Sequence, residues 1–162
     1  MKKICLSFVL VFALVAVAGA QQKPAQPVPP TAQPPAQPSD DISGMYTFLR
    51  EGEFVQVSVD EGVVSGFVSR YGDSDTSKSA FITQFFDKAS LKDDKLTWIT
   101  KTVHDTWYEF KGTVGPGPGK TPDDEGYRVL KGKLTIFKKD AAGKTTKTTR
   151  EVLFKSFPAD VQ

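Results

Sequence analysis

Beyond Asp40 the chain alternates apolar and polar side chains with a period of two, and Gly-, Asp- or Lys-containing turns interrupt it every 8–14 residues. A period of two places alternate side chains on opposite faces of an extended strand, whereas a helix needs a stripe near 3.6. Val55, Val57 and Val59 share one face while Gln56 and Ser58 share the other. Tyr108, Phe110, Gly112 and Val114 alternate in the same way with Trp107, Glu109 and Lys111. Leu130, Gly132, Leu134 and Ile136 form a third such series, and Val152 and Phe154 alternate with Glu151 and Lys155.

Punctuation divides this region into segments. Arg50-Glu51-Gly52, Asp60-Glu61-Gly62, Lys92-Asp93-Asp94, His104-Asp105 and Asp140 to Lys144 are turns, and longer loops span 72–79 and 115–125. The strands between them are Gly44–Leu49, Glu53–Val59, Val63–Tyr71, Ala80–Leu91, Lys95–Val103, Thr106–Val114, Gly126–Lys138 and Thr145–Phe157. Connections this short join antiparallel neighbours. The expected fold is therefore all-β, an eight-stranded antiparallel up-and-down meander. Closure into a barrel removes the exposed edges most simply, and glycines 44, 66, 112 and 132 inside strands suit its bends. A two-sheet sandwich is the alternative.

The chain ahead of this body reads differently. Lys2 and Lys3 precede an apolar run from Ile4 to Val17, followed by Ala18-Gly19-Ala20. That is the pattern of a secretory signal cleaved after residue 20, and the run is short for a bilayer span. Residues 21–40 form a Pro/Gln-rich linker with Pro-Ala-Gln-Pro at 24–27 and again at 35–38. Proline fixes φ and lacks an N–H, so this stretch favours extended polyproline II and serves as a spacer or a docking ligand. The expected domains are a signal peptide at 1–20, the linker at 21–40, a β-barrel domain at 41–158 and a tail at 159–162. The expected location is periplasmic or extracellular, with no membrane span left after cleavage.

Composition excludes several function classes. The single cysteine, Cys5, lies inside the signal, so the exported chain has no disulfide, thiolate nucleophile or thiolate metal site. Without Lys2 and Lys3 the basic and acidic side chains balance, and no basic block exceeds two residues. A nucleic-acid groove is not expected. There is no asparagine, hence no N-glycosylation acceptor.

Gly44-Met45-Tyr46 resembles the opening Gly-x-Trp of the calycin group, the lipocalins and avidins, with Tyr in place of Trp. Gly66-Phe67-Val68-Ser69 is similar to the Gly-x-Tyr-x-Ser of an early avidin strand. The resemblance implies an up-and-down barrel with an interior cavity. The avidin biotin-binding set, which includes asparagine, and the lipocalin Thr-Asp-Tyr motif are both missing, so biotin binding does not carry over.

Motifs for chemistry are sparse. Gly119-Lys120-Thr121 ends like a phosphate loop, but Val114 replaces its first glycine and Pro116 and Pro118 remove amides. Asp73-Ser74-Asp75-Thr76-Ser77 starts like a calcium loop, but Lys78 and Gln84 replace its glycine and carboxylate, and Asp123-Asp124-Glu125 is a further acidic loop. His104, the only histidine, adjoins Asp105, and a Glu53–Glu109 pair is the other conceivable acid/base couple. The strongest signal is aromatic: 16 of the 18 Phe, Tyr and Trp residues follow residue 40. Tyr46, Phe67, Phe85, Trp98, Trp107, Tyr108 and Phe110 are the candidate cavity lining, unless these rings fill the barrel solid. The expected function is a non-enzymatic exported module that binds a small apolar ligand or an envelope partner. The alternatives are a filled barrel acting through loops 72–79 and 115–125, or a hydrolase using carboxylates or His104. No cofactor and no metal site is expected.

Overall fold

The computed structural model describes residues 42–72 and 80–159. Residues 1–41, on which the expected signal and linker fall, the segment at 73–79 with its calcium-like motif, and residues 160–162 lie outside the described residues. Eight strands follow in chain order: β1 (Gly44–Thr47), β2 (Phe54–Asp60), β3 (Val63–Tyr71), β4 (Phe81–Lys92), β5 (Lys95–Thr100), β6 (Thr106–Pro116), β7 (Arg128–Lys139) and β8 (Thr145–Lys155). Each pairs antiparallel with its sequence neighbour, in the order β1-β2-β3-β4-β5-β6-β7-β8. The all-β meander read from the alternation stands, as a strongly curled half-barrel. Its two edges meet at one corner, through a Tyr46–Ser156 bridge and a hydrogen bond from Phe157 N to Met45 O at 2.8 Å. No ladder joins β1 to β8 among the described residues.

Turn chemistry sets the hairpins. Glu61 and Gly62 hold φ of 48° and 80°, and His104 and Asp105 hold 49° and 57°, the left-handed pair that a two-residue hairpin requires. β1 stops at Thr47, earlier than the pattern predicts, because Phe48 N turns to bond Glu53 O at 3.0 Å. β4 carries a bulge between Phe86 and Lys88. The extra residue, Asp87, shifts the phase so that both Phe86 and Ala89 pack on the core.

The inner face is filled by rings. Trp98 stacks between Phe86 at 4.9 Å and Phe110 at 5.5 Å. Phe110 meets Phe154 at 5.9 Å, Phe154 meets Phe48 at 5.3 Å, and Phe48 meets Tyr108 edge-on at 5.4 Å. Val55, Val57, Val68, Leu96, Leu130 and Leu134 complete the packing around this series, all fully buried. Gly112 and Gly132 face each other across β6 and β7, and a Cβ on either would run into the opposite backbone. The same bare backbone accommodates the Phe110 ring. Phe110, with no exposed surface, is the middle of the series. Phe110→Ala is expected to destabilise the fold by about 3–5 kcal/mol, seen as a lower urea midpoint at unchanged slope.

Candidate functional site

The seven aromatic candidates separate into two populations. Tyr46, Trp98, Tyr108 and Phe110 point inward and are buried. Tyr46 is fixed by donating its hydroxyl to Ile42 O at 2.8 Å. Phe67, Phe85 and Trp107 occupy the outer face, where Phe85 is 57% exposed. There Phe54, Phe67 and Phe85 form a row across β2, β3 and β4 with ring spacings of 5.9 and 5.7 Å, and Trp107 stacks on Phe137 at 5.0 Å. The sheet thus separates these residues instead of gathering them around one cavity.

One concavity with polar chemistry lies where the half-barrel opens. A recess of about 300 Å³ is lined by Leu49, Arg50, Glu53, Arg70, Tyr108, Ile136, Lys138 and Arg150. The alternation explains why charges converge there. Arg70 follows Gly66 and Val68 on the inner phase of β3, and Arg150 precedes Val152 and Phe154 on the inner phase of β8. Lys138 continues the inner phase of Leu134 and Ile136 past the core.

Arg70 is 2% exposed. Its Nε donates to Gln84 Oε1 at 2.8 Å and its Nη1 to Tyr71 O at 3.0 Å, and its guanidinium lies 5.6 Å from the centre of the Tyr108 ring. Gln84 is oriented in turn by donating to Thr106 O at 2.9 Å and Lys101 O at 3.2 Å. Gln84 and the Tyr71 carbonyl thus fix the direction of the Arg70 guanidinium. Glu53, also 2% exposed, accepts from Arg50 N at 3.1 Å, Arg50 Nε at 2.8 Å and Tyr71 N at 3.0 Å, with Arg50 Nη2 at 2.6 Å completing the ion pair. Glu53, the one carboxylate among the described lining residues, is therefore saturated by Arg50 and the end of β3. Arg70, Lys138 and Arg150 supply the basic groups of the lining. Sequence reading missed this site; the signal was two arginines on the inward phase of otherwise apolar faces.

The other candidate chemistry stays apart. Glu109 lies on the outer face of β6, bridged to Lys111 at 2.6 Å, and does not meet buried Glu53. His104 and Asp105 are exposed at their hairpin turn. The amides of Lys120 and Thr121, which a phosphate would need, donate instead to Asp124 Oδ2 at 2.8 and 2.9 Å. Those bonds, Thr121's first, hold the Asp124 carboxyl below the usual carboxylate range. Trp98 Nε1 is buried with no hydrogen-bond partner among the described residues, a cost of about 1–3 kcal/mol. Among the described residues no group of three or more His, Cys, Asp or Glu could hold a metal, and no helix is long and apolar enough to cross a membrane.

Comparison with protein-family models, curated proteins and solved structures finds no match.

Two measurements test this geometry. Glu53→Ala removes the acceptor that joins the 48–53 turn to β3, and is expected to cost about 2 kcal/mol in chemical denaturation. Asp124 stabilises its loop as the anion. With the folded-state pKa depressed, that contribution is present above the ordinary aspartate pKa and is lost as pH falls through the lower folded value. The amide resonances of Lys120 and Thr121 should therefore titrate together, below the range of a free aspartate.

Proposed function

We propose that the protein is an exported, non-enzymatic β-barrel-like module, calycin-like in architecture, whose basic mouth binds an anionic group on a small ligand or an envelope partner. The observation that carries this reading is the convergence of Arg70, Lys138 and Arg150 on one recess, in which Glu53, the one carboxylate among its described lining residues, is held by Arg50 and Tyr71 N. Basic side chains gathered in one recess suit a carboxylate or phosphate, which accepts charge-assisted hydrogen bonds from them. The ring series fills the interior, which favours recognition at the mouth over engulfment of the ligand. Export rests on the basic, apolar and small-residue order of residues 1–20.

A second reading draws on the outer row of Phe54, Phe67 and Phe85. Covering it with an apolar ligand or partner would gain about 25 cal/mol per Å² removed from water.

Calorimetric titration with citrate and with inorganic phosphate at low ionic strength separates the two. Under the first reading, Lys138→Glu combined with Arg150→Glu weakens anion binding at least about tenfold, added salt weakens it further, and Phe85→Ser leaves it unchanged. Equal affinity of the doubly reversed variant and the wild type would remove the mouth from consideration.

A further inference from the structure

The last strand of the meander has a side that no other described strand pairs with. β8 ends the sheet order, and β1 meets it only from Lys155 onward, through the 2.9 Å bond from Lys155 N to Thr47 Oγ1 and the corner contacts beyond it. The direction of its backbone groups follows from the same bonds. Ser156 N donates to Arg128 O on the β7 side, while Lys155 N and Phe157 N face β1. The β7–β8 register runs without a shift from Lys155 back to Thr145. The odd residues Thr145, Lys147, Thr149, Glu151 and Leu153 therefore direct their N–H and C=O groups outward from the sheet. Thr145 to Glu151 are exposed throughout, and Leu153 keeps 52% of its surface in water. A β-branched, exposed edge of this length is a template for another strand.

We infer that this edge pairs with the same edge of a second copy of the chain, antiparallel about a two-fold axis at Thr149. The sequence of the edge is complementary to itself in that register. Thr149 lies opposite Thr149 of the second copy, Lys147 opposite Glu151, and Thr145 opposite Leu153. Each opposed pair exchanges both N–H···O=C bonds, because all are outward-facing residues. The side chains continue rows already present on the outer face. The Thr135–Thr149 hydroxyl pair, 2.9 Å apart, extends into its symmetry mate. Glu151, 3.7 Å from Lys133 within its own chain, gains Lys147 of the second copy on its other side. Leu153 gains the Thr145 side chain.

Charge selects the register. An axis at Lys147 would oppose two lysines, and an axis at Thr148 would set Lys147 against Thr149, leaving Glu151 without its new partner. Like charges directly opposite are destabilising, and opposite charges stabilising, on one sheet face. The contact is isologous and therefore closes as a dimer instead of growing into a fibre. The same charges oppose random strands, so the edge discriminates while it binds. This inference stands apart from the anion site, which uses the inward-facing residues of the same strand.

Sedimentation velocity on the full chain over a concentration series is the test. Dimerisation is expected for the wild type. Lys147→Glu turns two symmetry-related attractions into repulsions and should weaken the dimer about tenfold. The double variant Lys147→Glu/Glu151→Lys restores opposite charges in the same register and should recover the wild-type dimer. Both positions are exposed, and circular dichroism verifies that each variant is folded. A wild-type monomer at the highest soluble concentration overturns the proposal. So does a dimer indifferent to Lys147→Glu, or a folded double variant that stays monomeric.

Discussion

The structure depends on the stacking of Trp98 between Phe86 and Phe110. Those contacts bring β4, β5 and β6 to one centre, and Phe154 and Phe48 carry the series to β8 and to the turn after β1. Aromatic side chains bury large areas, and their offset and edge-on contacts add to that burial. A sheet wrapped around such a filling keeps its curvature from within. That explains how the meander stays tightly curled while its edges share a single bridge. Gly112 and Gly132 complete the arrangement by letting two backbones and one ring occupy the space of a normal strand pair.

Filling has a functional corollary. With the middle of the sheet occupied by hydrocarbon, chemistry is displaced to the ends and edges. The inner face changes character along its length, from Val68 to Arg70 on β3 and from Leu134 and Ile136 to Lys138 on β7. The ring of Tyr108 marks the boundary, in contact with Phe48 edge-on and with the Arg70 guanidinium. One aromatic residue thus ends the core and begins the polar recess.

Much of this was legible in the sequence, and the failures have definite causes. Alternation at Val55, Val57 and Val59 and turn residues such as Glu61-Gly62 are local signals, so the strands, their order and their hairpins could be read. The bulge at Asp87 could not, because an extra residue on one strand is defined only against its partner. The aromatic candidates were read as one group, since a phase is needed to tell inward Phe110 from outward Phe85. Arg70 and Arg150 went unnoticed because a charge on an apolar phase looks like an interruption. Only the fold shows that both interruptions occur at the same end of the sheet.

The Tyr46–Ser156 bridge has a kinetic consequence. Every ladder in the sheet joins strands adjacent in sequence, so each can form by closing a short loop at a modest cost in chain entropy. The bridge, with the Lys155–Thr47 and Phe157–Met45 bonds beside it, instead joins residues near opposite ends of the folded body. Its closure becomes inexpensive only when the intervening hairpins have already drawn the ends together. The corner between β1 and β8 is thus positioned to be the last part of the sheet to form and the first to open.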